Sequence, residues 1–251
     1  MTTPDALRSD DLSVNLPAPP IVLAIGAHPD DVEFGCGATL AKWAVHGAVV
    51  HHLVLTDGSK GSWDPTQAKV ELVAERQREQ RAAAAALGAT GTVHFLGQVD
   101  GELDSTMTVR GEVARVIRQV RPNIVLGHDP WRRYRLHPDH RHAGWLTVDG
   151  CVAARDPHFF PEHDLRHHRP DWLLLFEADE PNHVEDVVGH VGAKVMALLE
   201  HRSQFASTMA IDSHDDGTQL AAFIARVENR LQEQGALADL PLGEAFRRIE
   251  L

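Results

Sequence analysis

Near the start of the chain, Ala27-His28-Pro29-Asp30-Asp31-Val32-Glu33 brings an imidazole and two adjacent carboxylates into one short loop. Far downstream, His137-Pro138-Asp139-His140 offers the same kinds of donor again. Two His and one carboxylate around an open coordination position form a typical catalytic zinc arrangement. A metal so held acidifies its water and polarises a bound carbonyl oxygen. His28 and Asp31 flank a proline-stiffened turn and can point at one ion, while Asp30 between them is free to take a proton from water. His140 would complete the ligand set, His137 could donate a proton or stabilise an oxyanion, and Asp139 could orient an imidazole. Each motif alone has a plainer reading: Asp-Asp as a helix cap beside a solvated neighbour, His-Pro-Asp-His as a turn capped by Asp139. Their joint occurrence, each after its own strand, favours a site.

The elements that must position these residues are legible from periodicity. Residues 21–26 form an entirely apolar run, the mark of a strand buried on both faces of a parallel sheet. A helix is expected over 35–46, ended by Gly47, then a strand over 48–56 and a flexible loop over 57–61. A long helix over about 66–87 stops at Gly88, and a third strand follows over 92–96. Val113, Val116, Ile117 and Val120 mark a helix over 110–120, stopped by Pro122. A fourth strand over 123–128, a helix over 143–154, a fifth strand over 172–177 and helices over 184 to about 204 and 219–233 complete the chain. This alternation predicts an α/β fold: a Rossmann-like, doubly wound, mainly parallel sheet of order 3-2-1-4-5 with helices on both faces. In that order strands one and four are neighbours across the switch point, so the two motifs meet in a metal site at the C-terminal ends of strands 1 and 4. Pro4, Pro17, Pro19 and Pro20 suggest a flexible N-terminal arm over 1–20, leaving 21–251 as a single domain.

Composition narrows the function classes. A formal net charge of −12 over 251 residues argues against nucleic acid or an anionic membrane as partner, although Arg132-Arg133-Tyr134-Arg135 is locally basic. Seventeen His mildly favour a metal site. Cys36 and Cys151 have no metal-binding spacing and read as small buried residues. No apolar run is long enough to span a membrane, and the first residues lack the apolar stretch of a signal peptide, so a cytoplasmic location without membrane insertion is expected. Gly35-Cys36-Gly37 invites a dinucleotide reading, but Leu40 stands where the third glycine belongs and the loop is acidic.

The two His/Asp motifs together resemble the PIG-L/LmbE family of zinc-dependent N-acetylglucosamine deacetylases. The resemblance spans roughly residues 21–205 and includes Leu55-Thr56-Asp57-Gly58, Arg76 and Glu79 ahead of Ala85-Ala86-Leu87-Gly88, Glu180-Pro181-Asn182-His183, and His201-Arg202-Ser203-Gln204. It implies Zn2+, or another divalent metal, held by His28, Asp31 and His140. It implies Asp30 as general base toward a metal-bound water and then as acid to the leaving amine. It further implies His137 as oxyanion stabiliser with Asp139 as its partner, and Arg76 as a substrate-holding residue. The implied reaction removes an N-acetyl group from an N-acetylglucosamine-type amino sugar or conjugate, and a homo-oligomer is compatible with the family. Val32 stands where many members carry glutamate, with Glu33 following, and Arg135 stands where some members carry tyrosine, Tyr134 being one residue earlier. Alternative readings are an amidase cleaving a larger acyl group from a glucosaminyl conjugate, a non-catalytic sugar- or metal-binding module, and a nicotinamide-dependent oxidoreductase. The loops after Gly58, after Pro130 and over 156–171 are expected to wall the pocket, the last of them, rich in His, being equally suited to an oligomer contact.

Overall fold

The computed structural model describes residues 12–251. Strands β1 (Ser13–Val14), β2 (Ile21–Gly26), β3 (Val49–Thr56), β4 (Val93–Gln98), β5 (Ile124–His128), β6 (Trp172–Phe176), β7 (His183–Asp186) and β8 (Gly243–Glu250) form one sheet of order β1-β7-β8-β6-β5-β2-β3-β4. Every pairing is parallel except the two made by β8. The run β4-β3-β2-β5-β6 is the expected 3-2-1-4-5 order, and it sets the C-terminal ends of β2 and β5 side by side.

Alternation along the central strands separates two cores. Leu23, Ile25 and Val125 pack with helices α3 (Met107–Val120) and α4 (Pro138–Arg155) on one face. Val22, Ala24 and Leu126 pack with α1 (Asp31–Val45), α2 (Lys69–Ala86) and α5 (Val191–Glu200) on the other. A third cluster joins α5 to α6 (Thr218–Gly235) through Leu198, Phe223, Val227 and Leu231. No helix among the described residues is long and apolar enough to cross a membrane.

Four features depart from the sequence reading. The helix expected over 184–204 begins instead as β7, because His183, Val184 and Glu185 are buried between β1 and β8, and α5 starts only at Val191. Strand β8 has no apolar alternation to announce it. Its Arg248 lies over the Trp172 ring at 4.5 Å and its Glu244 is wholly buried. Of the arm expected over 1–20, residues 1–11 lie outside the described residues. Residues 13–14 pair with β7, Ser13 with His183 and Val14 with Val184, so this part is a sheet edge rather than a flexible arm.

The fourth difference is in α1, which starts at Asp31 and is broken at Cys36 (φ −149°, ψ 18°). The break frees backbone groups that must find partners. Glu244 accepts from Ala38 N–H at 3.1 Å and Thr39 N–H at 2.7 Å, while Lys194 Nζ donates to Phe34 O at 2.8 Å and to Glu244 at 2.6 Å. Gly35 just before the break is required by packing, since a Cβ there would come within 2.6 Å of the Phe176 ring. The separate first turn, Asp31 to Gly35, is the piece that faces the site.

Candidate active site and metal centre

β2 empties into the loop of His28, Asp30 and Asp31, which are 7%, 6% and 8% exposed. Asp31 opens α1, and its Oδ2 accepts from His28 N–H at 2.7 Å, which closes the turn over Pro29. From the neighbouring strand, β5 ends on His128, and Pro138 at the first position of α4 sets His137 as cap and puts Asp139 and His140 in the first turn. Both helices thus aim N-termini at the site, where their dipoles favour the carboxylates.

The donor atoms converge. His28 Nδ1 lies 3.2 Å from His140 Nε2 and 3.4 Å from Asp31 Oδ2, and His140 Nε2 lies 3.2 Å from Asp31 Oδ1. Ligands at zinc distances of about 2.0–2.1 Å in a tetrahedron stand about 3.3 Å apart along each edge, close to the spacing of the two nitrogens and of each nitrogen from its nearer Asp31 oxygen. Three further donor groups interlock with this set: His28, His137 and His140; Asp31, His128 and His140; and His28, Asp100 and Asp139. The residues fit a divalent metal.

What surrounds the donors determines their state. His28 Nε2 lies 3.0 Å from Asp139 Oδ2 and 3.1 Å from Asp100 Oδ1. Burial opposes a charge on this ring, but Asp100, Asp139 and Asp31 together hold its pKa well above the ordinary value. In a neutral His28 those carboxylates keep the proton on Nε2 and leave Nδ1 as the ligand atom. Burial likewise opposes the Asp31 charge, yet the His140 and His128 rings hold its pKa well down. Asp30 differs. Burial and the neighbouring Asp31 push its carboxyl up to about 6, against the pull of Arg76, His201 and His28. His137 is exposed, stacks on His140 at 4.6 Å, and has its pKa lowered by partial burial and by the charges of His28 and His140.

The structure brings His28, Asp30, Asp31, His137, Asp139 and His140 together, with two changes of partner. Asp139 serves His28, not His137. It is fully buried beneath His28 and accepts from Gly101 N–H at 2.6 Å and Leu103 N–H at 3.2 Å, whereas the exposed His137 ring lies edge-on to His28 at 4.7 Å and lines the cavity. Arg76, expected to hold substrate, lines the cavity over the site but is 2% exposed. It donates to Pro29 O at 2.6 Å and Gly58 O at 3.0 Å, with Nη2 3.6 Å from Asp30 Oδ2. It is a clamp between two loops that also sets a positive charge beside Asp30.

Sequence reasoning passed over His128, Asp100, Arg135 and Glu177. His128 Nε2 stands 3.1 Å from Asp31 Oδ2, and Arg135 bridges His128, His140 and Glu177. Arg135 stands against His140 Nδ1, on the side of the ring away from the Nε2 that faces His28 and Asp31. Position alone could have flagged two of them: His128 is the last residue of β5 and Glu177 the first after β6, at the sheet edge where such folds do chemistry.

A cavity of about 490 Å³ opens over the site, lined also by Phe34, Lys60, Gly61, Gln204, Thr208 and Arg230. None of residues 156–171 lines it. That loop is pinned elsewhere, where Arg118 donates to the carbonyls of Ala153, Ala154, Asp156, Phe159 and Phe160. Tyr134 is 87% exposed and lines a separate cavity with Trp131 and Arg133 rather than this one.

Residues 23–150 match the GlcNAc-PI de-N-acetylase family, PIG-L. The chain is 38% identical over 200 residues to the diacetylchitobiose deacetylase of Thermococcus kodakarensis, covering 78% of this chain and 74% of that one. It is 32% identical over 167 residues to the 1D-myo-inositol 2-acetamido-2-deoxy-alpha-D-glucopyranoside deacetylase of Streptomyces avermitilis, covering 56% of each. Among solved structures, the N,N'-diacetylchitobiose deacetylase of Pyrococcus horikoshii superposes with a TM-score of 0.83 at 28% identity, covering 92% of this chain and 84% of that one. The sheet order, the paired His/Asp loops and these likenesses lead to one assignment: the chain belongs to the PIG-L family of metal-dependent deacetylases.

Proposed function

We propose that the chain hydrolyses the acetamide of an N-acetylglucosamine-type sugar or conjugate, with Zn2+ held by His28, Asp31 and His140. The supporting observation is the convergence of His28 Nδ1, His140 Nε2 and the two Asp31 oxygens at 3.2–3.4 Å, with the buried Asp30 next to Asp31 in the same loop. The metal, when bound, supplies an acidified water and a polarised carbonyl.

The chain's residues do the rest. Asp30, pushed up to about 6, is ionised at neutral pH yet basic enough to accept a proton from the attacking water, and it returns that proton to the nitrogen as the C–N bond breaks. Arg76 holds the loop that carries it. His137, kept neutral by its surroundings, offers an N–H to the oxygen on which charge develops. Asp100 and Asp139 fix the His28 tautomer. Lys60, Gln204, Thr208 and Arg230 face the rest of the sugar.

The test is release of acetate and free amine from a panel of N-acetylglucosamine conjugates with zinc and with a chelator. Asp30→Asn should retain the metal and lose about 10²- to 10⁴-fold in kcat. Unaltered turnover in that variant sinks the mechanism. Amine release without acetate favours a larger acyl group.

A further inference from the structure

The mechanism above leaves unused a buried polar cluster that adjoins Asp30. Glu33 of α1, His52 of β3, Gln80 of α2 and His201, which follows α5, are all 0% exposed. Asp30 itself has φ 112° and ψ −26°, a left-handed backbone that few residues other than glycine adopt without strain. The cluster meets this strained residue at one point: Asp30 N–H donates to Gln80 Oε1 at 3.0 Å. The Gln80 amide has no freedom to turn over. Its Nε2 donates to Glu33 Oε1 at 2.7 Å and to His52 Nδ1 at 3.2 Å, so only Oε1 can face Asp30. Glu33 is held in turn by His201, whose Nε2 lies 3.3 Å from Oε2.

Burying such a network is unfavourable unless its groups are satisfied, and an apolar filling would stabilise the space at least as well. A network in which both ends of the Gln80 amide and both oxygens of Glu33 are engaged, and which ends on the one strained turn of the loop, points to placement of that turn. We propose that Gln80 is a positioning residue: with its amide oriented by Glu33 and His52, and Glu33 by His201, it holds Asp30 in the left-handed conformation that presents its carboxylate to the pocket. The inference rests on the deacetylase reading of Asp30. It is separate from metal binding, because among the described residues the Gln80 side chain bonds Asp30, Glu33 and His52, while His28, Asp31 and His140 converge through their own contacts.

The hydrogen-bond pattern allows a swap as the test. Gln80→Met keeps the volume and removes the acceptor. It is expected to lower kcat by about tenfold to a hundredfold, with KM within about twofold and the zinc content of the wild type. Gln80→Glu alone sets a second carboxylate against Glu33 and should lose as much. The combined Glu33→Gln/Gln80→Glu variant restores every contact: the new carboxylate accepts from Asp30 N–H, and the new amide donates to it while accepting from His201. His52 can move its proton to Nδ1, since its Nε2 has no partner among the described residues. The swap should recover kcat to within about threefold of wild type. A Gln80→Met enzyme with wild-type kcat, a loss confined to KM, or a swap no better than Gln80→Glu overturns the proposal. Amide hydrogen exchange at Asp30 is read in parallel and should be slow in the wild type and swap, and fast in Gln80→Met. A wild type that releases no amine from any conjugate defeats the deacetylase reading instead, and the exchange measurement still decides whether Gln80 holds the turn.

Discussion

His28 shows how much of the chemistry is set by single partners. A ligand imidazole must be neutral, yet Asp100, Asp139 and Asp31 hold the metal-free ring protonated well above its ordinary pKa. The metal therefore displaces a proton, and below the raised pKa each unit of falling pH should weaken zinc binding about tenfold per proton released. Chelator competition between about pH 5 and 6.5, the ordinary His value, checks this, and a flat profile refutes it. The types of these donors are plain in His-Pro-Asp-Asp and His-Pro-Asp-His. Their partners are not, because Asp100 and Asp139 reach His28 from a loop and a helix remote in the chain.

At the scale of elements, the break in α1 is what gives Asp31 and Glu33 a short turn of their own. It is held by the buried Lys194–Glu244 pair, which satisfies Phe34 O and the Ala38 and Thr39 N–H groups. Glu244→Leu leaves Lys194 buried without its counter-charge and should destabilise the protein by about 3–5 kcal/mol in urea unfolding. Adding Lys194→Met should recover part of that loss, and a Glu244→Leu protein as stable as the wild type would show that the pair does not brace the break. Periodicity reveals α1 and the parallel strands but not this brace, whose two halves come from α5 and from β8. Strand β8 is hidden for the same reason: Glu244 and Arg248 lie in it for the sake of neighbours rather than of an alternating pattern.

For the whole molecule, the site joins segments from His28 to Arg230, so a ligand there ties together much of the fold. At a free zinc concentration a hundredfold above Kd, binding should stabilise the folded chain by about 2.7 kcal/mol. That corresponds to a rise in Tm of roughly 5–10 °C for a protein of this size. Thermal unfolding with zinc and with chelator reads the difference, which should shrink sharply in His140→Ala. Equal Tm values with and without chelator would argue against this ligand set. The charge balance of −12 works in the same direction, since a cation in a carboxylate-lined site relieves local repulsion.

The sequence alone determined the parallel α/β core, the order of its five central strands, and the His and Asp residues that meet at the ends of β2 and β5. Apolar runs, helix stops and donor types are local properties, and right-handed crossovers leave few ways to assemble them. Only the tertiary structure decided that Asp139 serves His28, that Arg76 clamps Pro29 and Gly58, and that Gln204, Thr208 and Arg230 wall the pocket in place of residues 156–171. It also decided that Gln80 reaches Asp30. The reason is geometric: a hydrogen bond holds only within a few tenths of an ångström, and the packing angle of one helix on the sheet settles which side chains fall inside that range.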